Sequence, residues 1–431
     1  MKIKKILSGI LAASMVFALT ACGTGSSSGD ATKADAEVKT EAAEDTKAEE
    51  TEGETKAEAS GSAVSKDDIK VGVIFVGDEN EGYTAAHYEG VKKMASDLGI
   101  SEDQIIIKFN IPEGDECLTA AEDLADQGCQ IIFANSFGHE DYMIQAAKEF
   151  PDVQFCHATG YQAKSCGLDN MHNFFTSVYE SRYVSGVVAG LKLNEMIADG
   201  KITEDKAKMG YVGAYPYAEV ISGFTAFYLG AKSVCPSVTM EVNYTSSWAD
   251  QALELQTADA LIADGCVLIS QHADTVGAPT ACEKAGVPCV GYNISMIPAA
   301  PNTALTSASI DWAPYYTYAV KCVLDGEKID TDWCQGYNDG ADKITELNDK
   351  TIAEGTKEKV EEVEKAIKDG SLHVFDTSTF TIGGKTLEEY VQTEDGKALA
   401  DSVSDGYFHE SENQSAPSFS VIIDGITSNA N

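Results

Sequence analysis

The chain has 431 residues, 43% of them hydrophobic, with 69 acidic against 31 basic side chains and a formal net charge of −38. That length supports two domains of ordinary size, and so acidic a field repels nucleic acid and anionic lipid headgroups, which argues against both as partners. A single arginine, Arg182, leaves at most one guanidinium fork for a phosphate or carboxylate, so a small neutral solute is favoured.

In chain order, Lys2, Lys4 and Lys5 precede an apolar run at 6–19 that is too short for a comfortable membrane span and ends in Leu19, Thr20, Ala21 and Cys22. This is the pattern of a bacterial lipobox. Residues 1–22 are therefore expected to be a lipoprotein signal peptide, with Cys22 lipidated so that an extracytoplasmic protein is anchored to the cell membrane by lipid alone. Residues 23–68 hold no aromatic side chain and few branched aliphatics. They cannot bury enough apolar surface to offset ordering, and are expected to be a disordered acidic tether.

From residue 69 onward short β-branched runs alternate with amphipathic stretches. Strands are predicted at 69–76, 105–109, 130–135 and 153–157, with helices at 84–98, 119–126 and 141–150 between and after them. A second series follows a helix at 182–197. Its strands fall at 210–214, 239–244, 266–270 and 288–292, and its helices at 220–234, 250–263 and 278–285. Two such series predict two doubly wound parallel α/β lobes around a cleft. The first lobe is expected to take 69–181 and about 296–330, the second 182–295 and about 331–431. In the C-terminal extension, 419–423 has strand character. Ten cysteines follow Cys22, mostly inside apolar patterns and with no C-x-x-C pair, so free buried thiols are expected.

In open α/β sheets ligands lie beyond the carboxyl ends of strands. The segments there (77–84, 135–139, 215–217, 246–250, 271–275 and 293–296) are rich in aromatic and neutral polar residues and poor in basic ones. They suit a flat, hydrogen-bonding guest held by stacking. Tyr83 and Trp248 are the candidate rings. Gln271, His272 and Asp274 crowd one strand end and can read a polar edge. No fourth ligand at fixed spacing supports a metal, and nucleophile-elbow, P-loop, H-E-x-x-H and dinucleotide fingerprints are all missing, so neither catalysis nor a cofactor is expected.

The stretches HATGY (157–161), YESRYVSGVVAG (179–190), GYVGAYPYAEVISGFTAFYLGAKSV (210–234), SSWAD (246–250), ISQHAD (269–274) and TSASIDWAPYY (306–316) resemble the basic membrane protein (Bmp/Med/PnrA-like) family of ABC transporter substrate-binding lipoproteins. The resemblance runs from about 69 to 377. It implies a type I periplasmic-binding fold, a monomer that delivers a purine nucleoside or purine base to ABC permease subunits, and a binding set of Tyr83, Thr84, Phe137, Trp248, Asp250, Gln271, His272, Asp274, Asn293 and Asp311. Thr84 and Asp250 also read as helix caps, and Asp311 as a hinge residue. Asn293 is followed by Ile294, Ser295 and Met296, where the family often has an acidic residue. Arg182 is expected in an interlobe or hinge salt bridge. The alternatives are the same fold acting as a ligand sensor, or a non-purine solute such as a vitamin or sugar.

Overall fold

Runs such as Val71–Ile74 and Ile131–Ala134, apolar on both faces, can be satisfied only between two helical layers, and each becomes a fully buried strand. In the computed structural model, which describes residues 63–430, they form the centre of a six-stranded parallel sheet. Its strands run in the order Asp332–Gln335, Met171–Thr176, Gln154–Ala158, Ile131–Ala134, Val71–Ile74 and Ile105–Lys108. Val71 and Val73 point into a core under the helices Gly82–Leu98 and Ala313–Asp325, while Ile74 points into the opposite core under Asp115–Asp126 and Glu140–Glu149.

The second sheet has seven strands in the order Asp342–Ile344, Ala304–Ile310, Cys289–Tyr292, Leu268–Gln271, Lys208–Gly213, Thr239–Tyr244 and Ile426–Asn429. All pairings are parallel except that of Asp342–Ile344 with Ala304–Ile310. Helices Val178–Ala198 and Ala218–Val234 cover one face, and Gln251–Ala263 with Gly277–Ala285 the other. This is a type I periplasmic-binding architecture, crossed by the chain near Ser177, Asp311 and Gly336.

Several boundaries differ from those expected. Residues 304–310, assigned to the first lobe, form a wholly buried strand of the second sheet. The return to the first lobe is the helix Ala313–Asp325 and strand Asp332–Gln335, so 331–335 lie there too. The last six residues of the expected tether are ordered. Val64 N donates to Val323 O at 3.2 Å and Val64 packs on the first core, while Gln104 donates to Lys66 O at 2.8 Å. Residues 419–423 are not a strand: Phe419 is fully buried and stacks 4.7 Å from Phe375, and the tail joins the sheet only at Ile426–Asn429. Cys22, the signal peptide and most of the tether lie outside the described residues. Among the described residues the ten cysteines are free, eight of them buried, and no helix is long and apolar enough to cross a membrane.

Candidate functional site

The carboxyl ends of both sheets face one another across a narrow slot. The first lobe lines it with Val76, Tyr83, Asn135, Ser136, Phe137 and Thr159, the second with Glu219, Trp248, His272, Asp274 and Tyr292. The strand ends set each of these in place. Tyr83 opens the helix Gly82–Leu98, whose first turn is capped by Glu81 accepting from Tyr83 N and Thr84 N, and its hydroxyl donates to Asn135 O at 2.5 Å. Ser136 Oγ and Gly138 N both donate to Glu113 Oε1, at 2.6 and 2.8 Å, which fixes the turn carrying Phe137. Trp248 is half-buried, and its carbonyl accepts from Asp274 N at 2.9 Å, tying two slot residues together. The lobes meet directly where Gly82 N donates to Asp274 O at 3.0 Å.

Of the ten residues singled out from the sequence, Tyr83, Phe137, Trp248, His272 and Asp274 line the slot. The other five stand outside it with structural employment. Thr84 Oγ1 accepts from Gly77 N at 3.3 Å within the first lobe. Asp250 caps the helix Gln251–Ala263, accepting from Ala252 N and Leu253 N at 3.0 Å each. Gln271 turns its amide onto Ala273 O and Thr275 O. Asn293, at φ 64°, supports the slot from behind by donating to Asp274 Oδ1 at 2.7 Å. Asp311 accepts from Ala313 N at 3.1 Å and pairs with Lys343, where the chain re-enters the first lobe.

Arg182 makes no salt bridge among the described residues. Its Nη1 donates to Gln271 O at 2.8 Å and its guanidinium lies 3.5 Å over the Tyr292 ring. The expected interlobe or hinge ion pair is thus replaced by a contact inside the second lobe: the helix Val178–Ala198 starts in the first core, where Val178 packs, and by Arg182 has passed into the second, where Tyr183, Val184 and Val187 are buried.

Glu219 and Tyr292 were missed. A glutamate in the first turn of a helix reads as an ordinary dipole partner, and Tyr292 reads as strand interior. Nothing in either local pattern marks them: Tyr292 could have been found as the last residue of its strand, whereas Glu219 lies in the following helix and only the fold returns it to the slot.

Burial keeps the slot close to neutral. It pushes the Glu219 carboxyl up to about 7, against the opposing pull of Arg182. It also raises Asp274 well above the ordinary range, helped by the charges of Glu81 and Glu254. His272, with Nε2 at 3.3 Å from Glu219 Oε1, is held well below its ordinary value by burial and then by Arg182. A protonated Asp274, a Glu219 that is about half protonated near pH 7 and a neutral imidazole offer both donors and acceptors to a guest without a fixed charge.

These shifts bear on stability. Glu180, Glu219 and Glu254 are raised by burial to about 7 from 4.5. The folded state therefore holds protons that the unfolded chain has lost across that window, and stability falls as pH rises through it. His139 and His172, lowered by burial to about 4 from 6.5, act oppositely and lose stability as pH falls below 6.5. Above pH 6.5 each of these histidines has only half a proton left to lose in the unfolded chain, a gain of about 0.4 kcal/mol apiece, so the carboxyls dominate. Going from about pH 6.5 to about pH 8 should cost roughly 1 kcal/mol per glutamate and lower the thermal midpoint by several degrees. A midpoint equal or higher at about pH 8 in thermal scans would refute this.

The comparisons agree with this geometry. A model of the family described as ABC transporter substrate-binding protein PnrA-like matches residues 69–373. A purine-binding protein of Brucella abortus is 34% identical over 316 residues, 73% of this chain and 85% of that protein. A Haloferax volcanii ABC transporter protein, whose name proposes glucose as its solute, is 32% identical over 60% of this chain and 62% of its own length. A nucleoside-binding protein of Lactococcus lactis is 24% identical over 49% of this chain and 57% of that protein. Among solved structures, an ABC transporter solute-binding protein of Aeropyrum pernix K1 superposes with a TM-score of 0.59 at 17% identity, covering 71% of this chain and 93% of that one. One of Conexibacter woesei gives 0.57 at 19%, covering 71% and 98%. Sequence blocks, two facing sheets and an interlobe slot converge: the chain belongs to the PnrA-like family of ABC transporter substrate-binding proteins, extracytoplasmic binders of small solutes that serve a permease rather than enzymes.

Proposed function

We propose that the solute is a purine, as free base or nucleoside, captured by a monomer that lipid on Cys22 holds at the membrane. The observation that carries this reading is the slot itself, where Tyr83 and Phe137 from one lobe and Trp248 and Tyr292 from the other surround Glu219, His272 and Asp274. Rings supply stacking for a flat base, and a protonated Asp274, a half-protonated Glu219 and a neutral imidazole match the mixed donors and acceptors of a purine edge. The names of the Brucella abortus and Lactococcus lactis relatives support it. The Haloferax volcanii relative favours a second reading, a sugar, whose apolar ring face also packs on aromatics. Denaturing the purified protein and identifying the released small molecule by mass spectrometry separates the two. A purine base or nucleoside at near-stoichiometric yield is expected. A hexose in its place would overturn the purine reading and leave the transport role standing.

A further inference from the structure

Among the described residues four large hydrophobic side chains are exposed, and three of them, Phe137 (36%), Tyr161 (53%) and Tyr217 (42%), stand together at the mouth of the slot. They belong to an unbroken file of five rings. In the first lobe Tyr161 lies 6.3 Å from Phe137. Phe137 reaches across the cleft to stack on Tyr217, 5.5 Å between centroids and 29° between planes. In the second lobe Tyr217 stacks on Tyr215 at 5.1 Å and 10°, and Tyr215 meets Trp248 edge-on at 5.2 Å. Phe137 and Trp248 line the slot, whereas Tyr217 and Tyr215 do not.

Both sides of the crossing are rigidly mounted. Glu113 holds the Phe137 turn through Ser136 Oγ and Gly138 N. Tyr217 sits at the N-terminal boundary of the helix Ala218–Val234, its carbonyl accepting from Ile221 N at 3.0 Å. The Phe137–Tyr217 stack joins the lobes and can exist only while they are closed. Parting the lobes exposes both faces to water and loses the pair.

We propose that Phe137 and Tyr217 form an interlobe aromatic latch over the slot, and that Tyr217, a positioning residue that does not line the slot, sets how long a bound solute is retained. The latch acts on the open–closed equilibrium of the protein and holds whatever the solute is. Removing one ring of an aromatic pair shifts such an equilibrium by roughly 3- to 10-fold.

The test reads closure without any ligand. Gly82 N donates across the lobes to Asp274 O, so its amide is protected only in the closed form. In hydrogen exchange on the ligand-free protein, a peptide spanning Gly82 should exchange about 3- to 10-fold faster in Tyr217→Ala than in wild type. Tyr217→Phe should behave as wild type, and the strand Thr239–Tyr244 should be unchanged, which excludes general unfolding. With adenine, guanosine and glucose as probes, dissociation of whichever binds should quicken by the same factor in Tyr217→Ala with association unaltered. Phe137→Ala should add nothing to the exchange rate once Tyr217 is gone. Equal exchange in wild type and Tyr217→Ala, or additive effects of the two substitutions, would overturn the latch. Failure of both purine probes to bind would count against the purine reading alone.

Discussion

Trp248→Ala is expected to weaken solute binding about 5- to 150-fold, the loss of roughly 1–3 kcal/mol of stacking on one aromatic face. The loop that carries this ring does not depend on it. Thr245 Oγ1 donates to Ser247 O at 2.8 Å, Trp248 O accepts from Asp274 N, and Asp250 caps the helix that follows. Truncation therefore removes a wall of the slot while the main chain keeps its path. The neighbouring Tyr215 lies edge-on and cannot take over the vacated face without leaving Tyr217. Trp248→Phe should recover most of the affinity, since a smaller ring still offers a face. Calorimetry with the solute recovered from the protein decides the matter. Unchanged affinity in Trp248→Ala would take the ring out of the binding site and, with it, the stacking account of recognition.

What the sequence disclosed followed a physical rule. Strands buried on both faces announce themselves as continuous apolar runs, and Val71–Ile74 or Ile131–Ala134 leave little doubt. The equally central strand Met171–Thr176 was passed over because it carries His172 and Asn173 at its middle. Their partners, Gln154 Oε1 and Ala163 N, come from elsewhere in the fold and are invisible to a local window. Asp332–Gln335 is too short and polar to signal anything, and only pairing with Met171–Thr176 makes it a strand. The helix Thr356–Lys368, by contrast, was legible and unread: Val360, Val363 and Ile367 recur on one face at helical spacing and are buried. The slot follows the same division. Residues immediately after predicted strands, such as Phe137, His272 and Asp274, could be found from topology alone. Glu219 comes five residues beyond Ala214, and only the fold returns it to the crevice. Asn293 and Gln271 show the converse, since a polar residue at a strand end can be spent on holding its neighbours.

The largest change in stability is expected from Gly186→Val. The helices Val178–Ala198 and Ala218–Val234 are apolar on nearly every side and bury most of their residues. They cross so closely that backbone meets backbone. A Cβ on Gly186 would stand 2.1 Å from Phe227 O, one on Gly190 2.5 Å from Ala231 O, and one on Gly230 2.0 Å from Tyr183 O. Two effects compete in any substitution here. A helical glycine costs up to about 1 kcal/mol of propensity relative to alanine, which replacement would recover. Against it stands overpacking, typically about 1–3 kcal/mol and sometimes more. Since the obstacles are main-chain carbonyls that no rotamer can move aside, overpacking wins. Gly186→Ala should lose about 2 kcal/mol and Gly186→Val about 3 kcal/mol or more, read as a lower urea midpoint at unchanged slope. A variant as stable as wild type would mean that the helices do not touch. The consequence reaches the slot, because Arg182 lies in the first turns of one helix and Glu219 in the first turn of the other. Prising the pair apart displaces the guanidinium that backs Tyr292 and the carboxyl that faces His272, so affinity should fall together with stability.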